Sequence, residues 1–385
     1  MSLARDIADL GSVTSRLDTV GAGSGSFGVG RNVIVNSAMM VSQRGTSFAS
    51  VGNVYTLDRF EFYKQNSGAA FTITQSSVTD LAGFANALKV DCTTADTSLA
   101  SNEQAYISHK IEGQDLQRFQ KGHATALGFT LSFYVKTNKT GLYTVTMFDR
   151  DNTRKVNGSY TVANANWNRY TINFPADTTG KFNDDNASSL EIFFNLYAGS
   201  DTNTGTLSET WAASADAGST TGQVNFADNT SNDWEITGIQ LETGSGAATD
   251  FEHRSFADNL QACQRYYQLV GRDISDATPT TAFGWGYTTS GSAAEGMFRF
   301  EKRMRTAPTF TQSTDQNLDF QTNTGSGAVH SSNAFTSVVL SEMSAEFTQQ
   351  NHASNFGGAG QPYFLKWNGV QGTGLSASIQ LDAEL

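Results

Sequence analysis

Between residues 55 and 241 apolar side chains recur at every second position, and that period decides what the chain can fold into. Phe129, Leu131, Phe133 and Val135 alternate with Thr130, Ser132 and Tyr134; Leu190, Ile192, Phe194 and Leu196 alternate with Glu191, Phe193 and Asn195. A period of two places one set of side chains on one face of a strand, and that face must be covered. Tyr170, Ile172 and Phe174 share a face in the same way. Further strands are predicted at 55–62, 70–75, 86–91, 105–111, 142–148 and 234–241. Turn residues at Asn138–Gly141, Asp149–Asn152, Asn157–Gly158, Asp177–Gly180 and Asn183–Asn186 separate them. So many short strands over 31–250 predict an antiparallel β-sandwich of jelly-roll type. Residues 199–232, rich in Gly, Ser, Thr, Asp and Asn, read as a long loop or irregular edge.

The pattern recurs on a smaller scale in 272–385. Strands are predicted at 282–287, 295–301, 308–313, 317–322, 335–340, 344–349, 362–368 and 375–381, with Gly-rich loops at 325–327, 357–360 and 369–374. These suffice for one small distal β domain.

Two segments follow a helical period instead. Leu3, Ile7, Leu10, Thr14 and Leu17 form an a/d seam that ends at Gly21 and the flexible stretch 21–26. About two heptads make a marginal helix in water, so the seam needs a partner: another copy, a docking surface, or the chain's own domain. Phe256, Leu260, Cys263, Tyr267 and Val270 repeat the spacing, with Ser255 and Asp258 marking a helix start and Gly271 its stop. Residues 251–271 are therefore predicted to be a helical neck, serving as a three-fold seam or as an intrachain strut. The expected organisation is mainly β: a helical attachment segment and Gly/Ser linker (1–30), the sandwich (31–250), the neck (251–271) and the distal domain (272–385).

Composition narrows the partners. The formal charge is 25 − 37 = −12, which argues against a nucleic-acid partner whose phosphates need a basic stripe. No apolar run is long enough for a membrane span, and residues 1–30 lack the apolar core of a secretory signal, so synthesis in a cytosol is expected. Cys92 and Cys263 set up no disulfide framework and read as buried thiols.

A search for chemistry yields no catalytic assignment. His109, His123, His253, His330 and His352 form no HExxH pair or close ligand spacing, and His253 reads as a structural part of Phe251-Glu252-His253-Arg254. "GSGSFGVG" (23–30) lacks the Lys and the strand-then-helix setting of a phosphate loop. No cofactor is indicated. A structural calcium is compatible with the oxygen-rich turns 149–152 and 183–186, though no ligands are assigned. Acid pairs such as Asp184–Asp185 and Asp149–Asp151 read as solvated turns. Aromatic faces are the remaining signal, because they stack on sugar rings. Trp234 opens a core-like strand. Trp211, Trp167, Trp285 and Trp367 are the candidate ligand contacts, against the plain alternative of core or subunit packing.

Several stretches resemble one group of proteins. "RNVIVNSAMMVSQRG" (31–45) followed by "YTLDRFEFYK" (55–64) resembles the opening of a β-sandwich module of tailed-bacteriophage virion proteins. "YISHKIEGQDLQRFQKGHATALGFTLSFYVKTNKTG" (106–141) resembles its central strands, akin to carbohydrate-binding jelly rolls. "DWEITGIQLETGSGAATDFEHRSFADNLQACQRYYQ" (233–268) is the most specific match. "FRFEKRMRTAPTF" (298–310) and "ARDIADLG" (4–11) are similar to a strand entry and an N-terminal leader of such proteins. The resemblance implies a non-enzymatic structural protein at the virion surface, assembled in the host cytoplasm. It implies a homotrimeric tail fibre attaching to a host-surface glycan or protein, held to other virion proteins by its N-terminus. A head fibre or capsid decoration protein is the alternative, and a carbohydrate-active enzyme with a binding module is the second.

Overall fold

The computed structural model describes residues 30–49, 52–271, 282–312, 318–322, 328–331, 335, 337–349, 358–367 and 378–385. The predicted N-terminal helix and its seam (Leu3, Ile7, Leu10, Leu17) lie outside them. The chain divides into two compact units. One runs to Asn259 and takes back the terminal Leu385; the other spans Leu260–Glu384.

The first unit is an antiparallel jelly-roll sandwich. Its six-stranded sheet has the spatial order β1 (Ser47–Ala49), β4 (Ala70–Ser77), β5 (Asn86–Thr94), β13 (Asp233–Thr243), β7 (Phe129–Thr137), β10 (Asn168–Phe174). Its seven-stranded sheet runs β12 (Ala212–Ala213), β9 (Arg154–Val162), β8 (Gly141–Asp149), β11 (Ser188–Ala198), β6 (Gln104–Glu112), β3 (Phe60–Gln65), β2 (Val54–Tyr55). The alternation sets the packing. Phe129, Leu131, Phe133 and Val135 from one sheet meet Leu190, Ile192, Phe194 and Leu196 from the other in one core. Trp234 is buried there, as expected, with its Nε1 donating to the Tyr160 hydroxyl at 3.3 Å.

One predicted turn is a strand. Asn157–Gly158 lies in the middle of β9. A Cβ on Gly158 would stand 2.5 Å from Ile172 Cγ2, so the glycine lets β9 pass close beneath β10 of the other sheet. Asn157 points the other way, accepting from Thr146 Oγ1 at 2.8 Å.

Among the stretches that carry the resemblance, 31–45, 55–64, 106–141 and the part of 233–268 up to Arg254 exchange hydrogen bonds within the sandwich. The Glu252 carboxylate accepts the N–H groups of Gly30 (2.6 Å) and Asn32 (2.7 Å), and Arg254 donates to the Asn32 carbonyl at 2.5 Å. Asn32 Nδ2 donates to Ile239 O, and Asn36 Nδ2 bridges Val41 O and Asp58 O. Asp58 in turn accepts the Gln43 N–H at 2.8 Å, and buried Arg59 donates to Lys110 O at 2.6 Å. Buried backbone groups at this end of the sandwich thus find their partners in motif side chains. His253 packs its ring on Phe84 and Phe251, at 5.3 and 4.8 Å between centroids, a structural role.

The neck is shorter than predicted. Helix α1 spans Phe256–Gln264, and Tyr267–Gly271 is a strand. The helix start is as expected: Ser255 Oγ accepts the Asp258 N–H at 3.1 Å. The seam is not a continuous helical stripe. Phe256 is 53% exposed and Leu260 half-buried, whereas Cys263 and Tyr267 are buried by their own chain. Burial within one chain leaves those two unavailable to a three-fold seam.

The second unit has a three-stranded sheet, β14 (Tyr267–Gly271), β23 (Ser378–Asp382), β17 (Thr309–Gln312). Its seven-stranded sheet is ordered β19 (Ala328–Ser331), β18 (Leu318–Thr322), β22 (Pro362–Trp367), β15 (Ala282–Thr288), β16 (Ala294–Arg299), β21 (Ser344–Gln349), β20 (Ser337–Leu340). Phe298, Met304, Phe347, Leu365, Ile379 and Leu381 form its core. The opposite face of the larger sheet carries exposed Trp285, Tyr287, Val339 and Phe364. Both cysteines are buried, and neither is in a disulfide. Among the described residues no helix is long and apolar enough to cross a membrane.

Candidate functional site

The outward phase of the sandwich's seven-stranded sheet is not uniformly polar. Tyr63 on β3, Tyr106 on β6, Phe193 on β11 and Phe148 on β8 form an aromatic ladder across four neighbouring strands. Tyr63 and Tyr106 stack at 4.7 Å, Tyr106 and Phe193 at 4.4 Å, and Phe193 and Phe148 at 6.3 Å. All four are half-buried. The Arg150 guanidinium caps the end, 5.5 Å from the Phe148 ring, and its Nε donates to Glu191 at 2.7 Å.

Polar side chains frame this floor. Gln104, Thr146, Asn195 and Lys155 project from β6, β8, β11 and β9, and together with Tyr106, Phe148, Phe193 and Arg150 they line a cavity of about 250 Å³. The far wall is the 199–232 segment, through Thr202, Ser214, Asp216, Ser219 and Thr220. That segment was expected to be an irregular loop or edge, and it holds itself in place by backbone bonds. Ser208 N donates to Gly218 O, Gly218 N to Thr204 O, and Thr220 N to Thr202 O. It is tied to the sheet where Asn157 N donates to Ser208 O and the Thr144 N–H donates to Gln223 Oε1.

Charge in the groove is of both signs and partly neutralised. Burial pushes the Glu191 carboxyl above its usual range, against the pull of Arg150 and Lys110. Burial lowers the Lys155 ammonium. Amides and hydroxyls remain as donors and acceptors beside an apolar floor. That combination suits a hydroxyl-rich ligand: ring edges and faces meet C–H surfaces, and the rim meets hydroxyls.

The four predicted tryptophans fare differently. Trp211 is not a surface platform. It is only 9% exposed, its Nε1 donates to Pro175 O at 2.9 Å, and its ring lies 5.9 Å from Phe129. The polar 199–232 segment folds back and delivers Trp211, like Phe226, to the core. Trp167 is half-buried beside the six-stranded sheet, with its Nε1 on Asp80 at 2.8 Å and Lys136 over its ring. Trp285 is 60% exposed on the distal sheet. Trp367 ends β22, and its side chain lies outside the described residues.

The oxygen-rich turns meet through protein donors. Asp151 accepts the Asn183 N–H (3.0 Å) and amide (2.9 Å), and Asp149 is bound by Lys121 (2.5 Å) and Asn152 (3.0 Å). Among the described residues no group of three or more His, Cys, Asp or Glu is arranged to hold a metal.

The signal for the groove was in the alternation itself. Tyr63, Tyr106, Phe148 and Phe193 occupy the phase where an exposed sheet face carries polar residues.

No family model matches the chain, and no curated protein does. Several solved structures are similar to about half of it. A CBM4 structure aligns at 12% identity over 55% of this chain and 99% of that chain, with a TM-score of 0.29. A family 11 carbohydrate-binding module from Clostridium thermocellum, in complex with a β-1,3-1,4-mixed-linked tetrasaccharide, aligns at 11% identity over 53% and 98%, with a TM-score of 0.27. A cyclase from Fischerella sp. TAU aligns at 8% identity over 56% and 98%, with a TM-score of 0.30. These are distant likenesses, and what the groove can bind rests on this chain's own residues.

Proposed function

We propose that the protein is a non-enzymatic, glycan-binding appendage of a tailed-phage particle, a tail-fibre-type protein that engages the host surface. The observation that carries the binding claim is the aromatic ladder Tyr63–Tyr106–Phe193–Phe148, whose last three rings floor a groove walled by amides, hydroxyls and charged groups. The carboxylate lining the groove is Asp216, and the buried Glu191 beside it is held by Arg150; this lack of a facing pair of carboxylates among the lining residues favours recognition over hydrolysis. The virion setting is supported by the sequence resemblance at 31–45, 55–64 and 233–268, whose residues join in two hydrogen-bonded clusters, Asn32 with Glu252 and Arg254, and Asn36 with Asp58. Homotrimeric assembly and docking through the N-terminal seam belong to the same proposal. In such an assembly a weak site is repeated, and copy number multiplies its affinity.

Affinity electrophoresis against a panel of soluble polysaccharides tests the binding claim. The intact chain is expected to be retarded by at least one polysaccharide, and Tyr106→Ala and Phe193→Ala are expected to lose that retardation while keeping the wild-type far-UV spectrum. Equal retardation of the folded variants would refute the assignment of the groove.

A further inference from the structure

The distal seven-stranded sheet carries a second cavity, of about 290 Å³, on its exposed face. Trp285 and Tyr287 stand two residues apart on β15 and are 60% and 50% exposed. At a rise of about 3.4 Å per residue, their side chains leave the sheet about 7 Å apart on the same face. Such a gap admits one layer of atoms between two aromatic groups. Glu295, the cross-strand partner of Tyr287, accepts its hydroxyl at 2.9 Å. Met297 pairs with Trp285 on one side and with Glu346 on the other, so it forms the floor between an aromatic wall and a carboxylate. Val339, opposite Glu346, closes the far side.

The lining residues include the carboxylates of Glu295 and Glu346 and the aromatic rings of Trp285, Tyr287 and Phe347, with no Lys or Arg among them. The face of an aromatic ring is the negative end of its quadrupole, so every strong electrostatic element here attracts positive charge. Glu295 makes that potential felt locally: its hydrogen bond and charge raise the Tyr287 hydroxyl above its usual pKa. The chain's net charge of −12 adds a field of the same sign. Methylene and methyl groups would meet Met297 and Val339.

We infer that this cavity binds an organic cation of the alkylammonium type, with the methylated nitrogen between Trp285 and Tyr287 and its charge facing Glu295 and Glu346. An anionic ligand would be repelled by both carboxylates, and a neutral one would leave them unanswered. The site is separate from the sandwich groove and stands or falls independently of it.

The test is isothermal titration of the full-length chain with choline chloride, alongside 3,3-dimethylbutanol, which has the same shape without the charge. Choline is expected to bind, more weakly as salt rises, and the alcohol at least about tenfold more weakly than choline. Trp285→Ala should weaken choline binding by about tenfold or more, and Glu346→Gln by several-fold. Both side chains are exposed, so neither change threatens the fold, and circular dichroism confirms this. No binding of choline, equal binding of the alcohol, or unchanged affinity in folded Trp285→Ala would each overturn the proposal.

Discussion

Replacing Lys121 by Met tests a buried charge cluster in the sandwich. The Lys121 side chain is fully buried, and its ammonium meets Asp149 Oδ2 at 2.5 Å and Asp177 Oδ2 at 3.1 Å. It also donates to the carbonyls of Thr179 (3.0 Å) and Gly180 (2.7 Å), and lies 5.0 Å from the Trp211 ring and 5.2 Å from Phe182. Met is close in length and keeps the packing on both rings, so the loss is mainly electrostatic. Removing one partner of a buried pair typically costs ~3–5 kcal/mol, because the remaining charge is left uncompensated. Asp149 retains Asn152 and Asp177 retains Arg154, which places the expected cost near the lower end, about 3 kcal/mol. For a unit of this size that corresponds to a fall in Tm of roughly 6–12 °C. Calorimetry at neutral pH, with urea unfolding as a cross-check, measures it. Lys121→Met combined with Asp149→Leu should recover part of the loss, since no buried acid then lacks its cation. A change below about 1 kcal/mol in the single variant would mean the cluster is hydrated, and the burial argument would be wrong.

Three further outcomes follow from named contacts. Burial, and then the charge of Arg59, hold the His109 imidazole well below its ordinary 6.5, so the fold keeps it neutral. Stability from this group is full above that value and is lost as pH falls from there toward the folded-state pKa, and His109→Phe should remove that part of the acid dependence in urea titrations. Burial raises the Glu252 carboxyl, but the N–H groups of Asn32 and Gly30 and the charges of Arg254 and Arg31 outweigh it and keep it below 4.5. Its contribution is therefore present above that pH and lost below it, and Glu252→Gln should cost about 1–2 kcal/mol at neutral pH and less in acid, by the same urea assay. Trp211→Ala should cost about 3–5 kcal/mol in thermal unfolding, with polysaccharide retardation kept wherever the variant stays folded; loss of binding without loss of stability would restore Trp211 as a ligand platform.

Much of the sandwich was legible because it obeys one rule. Phe129–Val135 and Leu190–Leu196 alternate cleanly, and each run is a strand with its apolar phase in the core. The rule failed where one residue type serves two purposes. Asn157–Gly158 has the composition of a hairpin turn, but here the glycine relieves a clash between two sheets, a tertiary demand with no local signature. The spacing Cys263-Tyr267-Val270 continues the helical seam only by coincidence, because the chain leaves the helix at Gln264 and enters β14 at Tyr267. Trp211 was misplaced because composition describes a segment's average, whereas a polar segment can still send individual side chains inward, here Trp211 and Phe226. The groove was half visible. Its aromatic floor breaks the expected phase of β6, β8 and β11, but its wall comes from residues 202–220, which are distant in sequence from most of that floor.

The central claim is that a glycan lies along the outward face of β6, β11 and β8. Hydrogen exchange of the intact chain, with and without the polysaccharide that retards it most, measures this directly. The account predicts slowed exchange in Gln104–Glu112, Ser188–Ala198, Gly141–Asp149 and the 199–220 wall, with the six-stranded sheet unchanged. Protection confined to the six-stranded sheet or to the distal unit would contradict it.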